Sequence, residues 1–273
     1  MIADFIKTAY SLARQSWDNR AITWELARRD LTRQYKGAAL GVVWAAAQPI
    51  SYVFIFWFAV EIGLRGSRGP TNGFPFILWL VPGMFAWRVI NSTLSLAGNS
   101  IRSYSELVTK VVFPSITIPQ FNVISLFQVH AWLMVFAAVL LLVLGYPPTL
   151  YWIQLPYVVG ANFAFCVVIA TLLSALTTFS RDLVQIVKTS TTALFWFTPV
   201  IWPSENVSGA LGMVLRLNPI AYIVESYRWT LIYGRWFWES PGWTLYFWVF
   251  LILLGGVTLY VWNKLSRYFA DVL

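Results

Sequence analysis

A single cysteine, Cys166, and a single histidine, His130, among 273 residues exclude an internal disulfide and any Cys/His metal cluster. Charge is nearly as scarce. Only 11% of the residues are Asp, Glu, Lys or Arg, and none lies between Gly37 and Val60. The pattern G-x-x-x-x-G-K-[ST] occurs nowhere, so the glycines of residues 63–73 read as a connector and not as a phosphate loop. An early cleavable apolar core is also missing, because the first long apolar run begins near Gly37, behind seven basic residues. The N-terminus is therefore expected to stay in the cytoplasm.

What the chain does have is apolar surface. With 59% hydrophobic residues and a mean hydropathy of +0.66, it has too few polar groups to cover a water-facing exterior. An all-α integral membrane protein is expected. The net charge of +8 would suggest nucleic acid in a soluble protein, but here the charge gathers beside apolar runs, which points to one membrane face and excludes a nucleic-acid partner. The clearest case is the stretch 28–62. Arg28, Arg29, Asp30, Arg33 and Lys36 give way to an uncharged run, and a helix over 36–62 is long enough to exceed a hydrocarbon layer of ~30 Å.

Further spans are expected at about 74–97, 116–144, 151–179, 183–201 and 243–262, making six. Residues 1–15 read as an amphipathic helix too charged to span, lying in the headgroup plane. Pro119 is expected to kink or delay the third span. The second span is unusual: Arg88, Asn91, Ser92, Ser95 and Asn99 recur at i, i+3, i+4, i+7 and i+11, forming one polar stripe. An Arg at that depth costs about 2.5–3.5 kcal/mol to insert and must face protein or water. The stripe either satisfies neighbouring helices or lines a polar path. Trp44, Gln48, Ser51 and Tyr52 share a face of the first span, and Thr191, Phe195 and Thr198 one of the fifth. His130, alone in the third span, reads more readily as hydrogen-bonded to a neighbour than as a proton relay.

Residues 98–114 carry Arg102, Glu106 and Lys110 at helical spacing, opposite Ile101, Tyr104, Val108 and Val111, as in a short amphipathic helix at the cytoplasmic surface. Residues 203–242 contain apolar pieces too short to span, broken by Gly209, Gly212, Asn218-Pro219 and Gly234, which suits re-entrant or interfacial helices. Within them Glu225 and Arg228 are i, i+3 neighbours able to neutralise each other in a half-buried site. Thirteen of the 19 Lys and Arg fall on the side of the two termini and five on the other, with Arg88 in the membrane, which favours both ends in the cytoplasm. The 16 Trp, 13 Tyr and 20 Phe mostly serve as interfacial belts and lipid contacts.

The stretch Arg29-Asp-Leu-Thr-Arg-Gln-Tyr-Lys-Gly-Ala-Ala-Leu-Gly-Val-Val-Trp-Ala-Ala-Ala-Gln-Pro49 closely resembles the start of the first span in ABC-2 type permeases that export polysaccharides of the O-antigen, capsule and teichoic acid kinds. Asn99-Ser-Ile, Lys110-Val-Val-Phe-Pro114, Arg181-Asp-Leu183, Thr198-Pro-Val-Ile-Trp-Pro203 and Asn218-Pro219 follow in order, so the likeness covers nearly the whole chain. It implies a cytoplasmic interface segment at 1–36 and a six-helix transmembrane domain at 37–273, in a bacterial plasma (inner) membrane. It also implies a homodimer, two copies of a separate ABC nucleotide-binding subunit holding ATP and Mg, and a lipid-linked glycan as cargo. By the same likeness this chain itself binds no cofactor or metal and is no enzyme. Arg28, Asp30, Arg102, Glu106, Lys110, Arg181 and Asp182 are then expected at the ATPase contact, and Asn218, Pro219, Glu225 and Arg228 in an external gate at 203–242. Trp44, Gln48, Ser51, Tyr52, Arg88, Asn91, Ser95, Thr191, Phe195 and Thr198 are expected along the path. Arg88 departs from the family's usual uncharged residue, which implies a more anionic cargo or a local ion pair. Two rivals are a drug or small-lipid exporter on the same scaffold, and a polyprenyl-dependent glycosyltransferase using Glu61, Glu205, Glu225 or Glu239.

Overall fold

The computed structural model describes residues 11, 14–64, 70–109, 113–204 and 207–273. Most of the expected N-terminal amphipathic helix, together with Lys110 and Glu205, lies outside them. The described residues fold into helices, joined by turns and one isolated bridge, Thr71 to Phe74. That bridge closes a two-residue turn in which Asn72 (φ 49°) and Gly73 (φ 83°) take left-handed conformations, as a tight hairpin turn requires.

Helix α1 (Arg20–Gln34) ends ahead of the first long apolar segment, and Gly37 (φ 89°) and Gly41 (φ 51°) then carry the chain through conformations closed to most side chains. The single helix expected over 36–62 is thus corrected. The first crossing segment runs Gly41–Gly63, with a 3-10 turn, α2 (Trp44–Phe58) around Pro49, and a π-helical end at Ala59–Leu64. Next come α3 (Phe76–Ala97), the short α4 (Ser100–Ser103) and α5 (Ser105–Thr109), α6 (Thr117–Val143), α7 (Leu155–Thr177) and α8 (Arg181–Phe197). After them lie α9 (Gly209–Arg216), α10 (Pro219–Arg228) with a π-helical extension Trp229–Tyr233, α11 (Pro241–Leu265) and α12 (Phe269–Val272). Pro119 sits in the first turn of α6, where its missing N–H costs no helical bond.

Among the described residues, five helical segments are long and apolar enough to cross a membrane: Gly41–Gly63, Phe76–Ala97, Thr117–Val143, Leu150–Thr177 and Pro241–Val272. The expected fifth span is not among them. Helix α8 has 17 residues, which at about 1.5 Å rise per residue falls short of the hydrocarbon layer, and its two faces differ in polarity. The single short helix expected within 98–114 also differs, since the described residues there form two short helices, Ser100–Ser103 and Ser105–Thr109, broken at Tyr104.

Helix α3 is the centre of the bundle. In its most apolar stretch 78% of residues are buried, against 17% in the first and last crossing segments. It packs on α6, α7 and α10, so its polar stripe must meet protein along part of its length. A second core lies at one end, where Ala27 of α1 joins Ile101, Ile116, Phe121, Ala175, Trp262 and Phe269. Helix α1 is therefore docked on α6 through Thr23, Ala27 and Leu31, and does not merely float on a surface.

Candidate functional site

The polar stripe of α3 opens onto a groove of about 510 Å3 between α2, α3 and α8, lined by Gln48, Tyr52, Arg88, Asn91, Ser95, Lys188, Thr191, Thr192 and Phe195 over an apolar bed of Val53, Met84, Phe85 and Trp87. The fold thus gathers seven of the ten residues assigned to a path. Trp44 and Ser51 are exposed outside the groove, and Thr198 is fully buried, accepting a 2.9 Å hydrogen bond from Asn218 Nδ2. Arg88 donates from Nη1 to Ser92 Oγ at 2.7 Å, and Ser95 bonds back to the Asn91 carbonyl, so the stripe is held along its own helix. Among the described residues, no acidic one borders the groove.

Gln48, Pro49, Arg88 and Ser95 also border a second hollow of about 310 Å3 beneath α1 and α6, which again contains no acid. Gln34, Ser95 and Leu96 connect that hollow to a third of about 350 Å3 beside Asp30, Arg33, Asn99 and Tyr104. Polar side chains thus border a series of three hollows between the α1–α5 corner and Phe195, with Arg88 lining two of them. His130 borders the middle hollow with its Nε2 hydrogen-bonded to Tyr227 Oη at 2.8 Å, the neighbour-bonded arrangement expected of a lone intramembrane His.

At the α1–α5 corner the residues assigned to ATPase contact divide in two. Asp30 faces inward, accepting from Tyr104 Oη, from Ser125 Oγ at 3.0 Å and from Gln34 Nε2 at 3.0 Å. Arg102 is spent on the Thr178 carbonyl at 2.8 Å. Arg28, Glu106, Arg181 and Asp182 stay exposed. Burial, with the Asp30 bond adding to it, pushes the Tyr104 hydroxyl above its ordinary ionisation range. Tyr104 consequently stays a donor and ties α1 to the short helices.

The Glu225–Arg228 pair is not half-buried. Arg228 is 0% exposed, and its guanidinium donates to Glu225 Oε1 (2.7 Å), the Pro199 carbonyl (2.7 Å), the Val200 carbonyl (2.7 Å) and the Trp79 carbonyl (3.2 Å). It also lies over the Trp79 ring, 3.7 Å from the centroid. Gly83 makes room for it, since a Cβ there would stand 2.6 Å from Nη2. The expected ion pair exists, but as a fully buried clasp joining α10 to α3 and to the end of α8. Asn218 caps α10 by accepting from the Ile220 N–H at 2.9 Å, while Pro219 occupies the first helical position. A hollow of about 590 Å3 lies under α9 and α10, bordered by Arg216, Glu225, Trp229, Arg235, Trp243 and Tyr246.

Lys188, Trp79 and Gly83 are not singled out by the sequence alone. Lys188 is one of the thirteen basic residues on the side of the termini, although its spacing to Thr191 and Phe195 (i, i+3, i+7) puts all three on one helix face. Nothing local marks Trp79 or Gly83, whose role depends on a residue far along the chain.

Residues 22–232 match the model of the ABC-2 type transporter family. The chain is similar to an O-antigen export system permease protein RfbA of Klebsiella pneumoniae, 26% identical over 249 residues that cover 91% of this chain and 93% of the relative. A protein of the same description from Myxococcus xanthus is 26% identical over 223 residues, covering 80% of this chain and 82% of that one.

Proposed function

Because the chain belongs to the ABC-2 type transporter family, we propose that it is the membrane-spanning subunit of an ATP-driven exporter that moves a lipid-linked polysaccharide of O-antigen or teichoic acid type across the plasma membrane. Relatives that share nine-tenths of its length and are described as O-antigen export permeases support the cargo class. The observation that carries the reading is the acid-free polar groove of α2, α3 and α8. A polymer of sugars needs a conduit rich in hydrogen-bonding groups and ring faces, and the groove offers Gln48, Asn91, Ser95 and Thr192 beside Tyr52, Trp87 and Phe195.

In this reading two copies pair so that their grooves face each other, since a groove open on one side encloses no polymer. Helix α8 completes a sixth crossing with the buried turn at Thr198–Val200, and both termini lie in the cytoplasm, where the basic residues of 7–36 gather. Energy comes from a separate ABC nucleotide-binding subunit carrying ATP and Mg, in two copies. That subunit docks on the exposed Arg28, Glu106, Arg181 and Asp182. Its motion passes inward through Tyr104 to Asp30 on α1 and so to the base of α2. Helices α9 and α10 cap the outer end.

Depletion of the chain in its native host tests this. Accumulation of a lipid-linked glycan on the cytoplasmic side is expected, and intact-mass analysis of the gently purified complex should give two copies with two ATPase subunits. Accumulation of no glycan, or purification of a lone chain, would return a drug or small-lipid cargo, or the external carboxylates, to first place.

A further inference from the structure

We infer that the groove of α2, α3 and α8 is a phosphate site, in which Arg88 and Lys188 together hold a phosphate group of an amphiphilic cargo. The inference rests on the export reading above and names the chemistry that the groove selects.

Arg88 and Lys188 border one groove from two different helices, and no carboxylate borders it with them. Arg88 donates one hydrogen bond, to the neutral Ser92, and Lys188 makes no ion pair among the described residues. The contrast with Arg228 is instructive, because that buried guanidinium is saturated by four acceptors and one ring. Two cations bordering one groove repel each other, and the half-buried Arg88 has also lost part of its hydration, a cost that an anion held between them would offset. The geometry of the donors fits phosphate. A planar guanidinium offers paired N–H groups to two oxygens, an ammonium adds a point charge, and Gln48, Asn91 and Thr192 supply neutral donors for the remaining oxygens. Beneath them Val53, Met84, Phe85 and Trp87 give an apolar bed that a free inorganic ion would not use. A phosphate ester or diphosphate attached to a hydrocarbon matches both halves. Arg88 also borders the second hollow, whose described lining again includes no carboxylate.

The test is binding to the purified full chain in phosphatidylcholine nanodiscs without the ATPase, using farnesyl diphosphate and farnesol as probes. The diphosphate is expected to bind at least about tenfold more tightly than the alcohol, a difference worth about 1.4 kcal/mol. Arg88→Gln and Lys188→Gln should each weaken the diphosphate by about tenfold and leave farnesol unchanged, with Arg88→Lys between wild type and Arg88→Gln. Glycerol 3-phosphate serves as competitor. Displacement by it at matching concentration keeps the phosphate assignment and locates the group in the polymer, whereas failure to displace locates it on the lipid carrier. Equal binding of diphosphate and alcohol, or diphosphate binding unmoved by either substitution, overturns the inference. Should Arg88→Gln fail to fold, Lys188→Gln on the exposed side of α8 decides alone. Glycan accumulation on depletion, combined with no preference for diphosphate, would sink this site and leave the export reading standing.

Discussion

Removing the Arg228 guanidinium should be among the most damaging single changes in this molecule. Arg228→Met keeps much of the side-chain volume but strands Glu225 without its cation and leaves the carbonyls of Trp79, Pro199 and Val200 short of a donor. Breaking a buried pair from one side costs about 3–5 kcal/mol, because the remaining charge keeps its desolvation penalty and loses its compensation. At roughly 2 °C per kcal/mol for a large chain, the midpoint of thermal unfolding should fall by about 6–10 °C. Glu225→Leu combined with Arg228→Met removes both charges and leaves only neutral groups short of a partner, so it should recover part of that loss. Intrinsic tryptophan fluorescence in detergent during a temperature ramp measures all three proteins, and Trp79 under the guanidinium makes the signal local as well as global. A midpoint for Arg228→Met within 2 °C of wild type, or a double variant no better than the single one, would refute the view of this cluster as a charge-neutralised clasp.

The other expectations are smaller. Gly83→Ala drives a methyl to within 2.6 Å of Arg228 Nη2, so it should destabilise by about 1–3 kcal/mol in the same ramp, with the loss shrinking when Arg228→Met is already present. Asn218→Ala removes the cap of α10 and the bond to Thr198 Oγ1, and about 1 kcal/mol of stability should go with it. Asp30→Ala cuts α1 from Tyr104 and Ser125, and in the complex it should lower transport more than it lowers basal ATP hydrolysis; equal losses in both would argue against transmission through this corner. The raised Tyr104 ionisation has a definite sign. The folded state holds that proton more tightly than the unfolded one, so its contribution is whole below the ordinary phenol value of about 10 and is lost as pH climbs from there toward the raised value. Unfolding midpoints between pH 9 and 11.5 should therefore fall more steeply for wild type than for Tyr104→Phe.

Family membership and the export reading join a local geometry that is common to many membrane helices with a site that is not. Acid-free cationic grooves differ from clasps such as Glu225–Arg228 in what they leave unsatisfied, and that difference separates residues that hold the fold from residues open to cargo. Lys188 and Arg88 belong to the second group, Arg228 to the first, although hydropathy treats all three alike.

The sequence by itself determined what depends on composition and on neighbours along the chain. Scarce charge and long apolar runs make a membrane protein, because the hydrophobic cost of any other placement is too large. The i, i+3, i+7 repeat from Arg88 to Ser95 makes a stripe, because helical periodicity is local. Asn218-Pro219 breaks the apolar run for the same reason. Tertiary structure alone decided which of these features meet. The three carbonyl partners of Arg228 lie 28, 29 and 149 residues earlier in the chain, and no local pattern announces them as the i, i+3 spacing does Glu225. Thr198 and Asp30 have the chemistry of exposed polar residues and are turned inward by bonds to Asn218, Tyr104 and Ser125. Whether a polar side chain lines a groove or closes a network depends on what distant element packs over it, and that information resides in the packing of the helices.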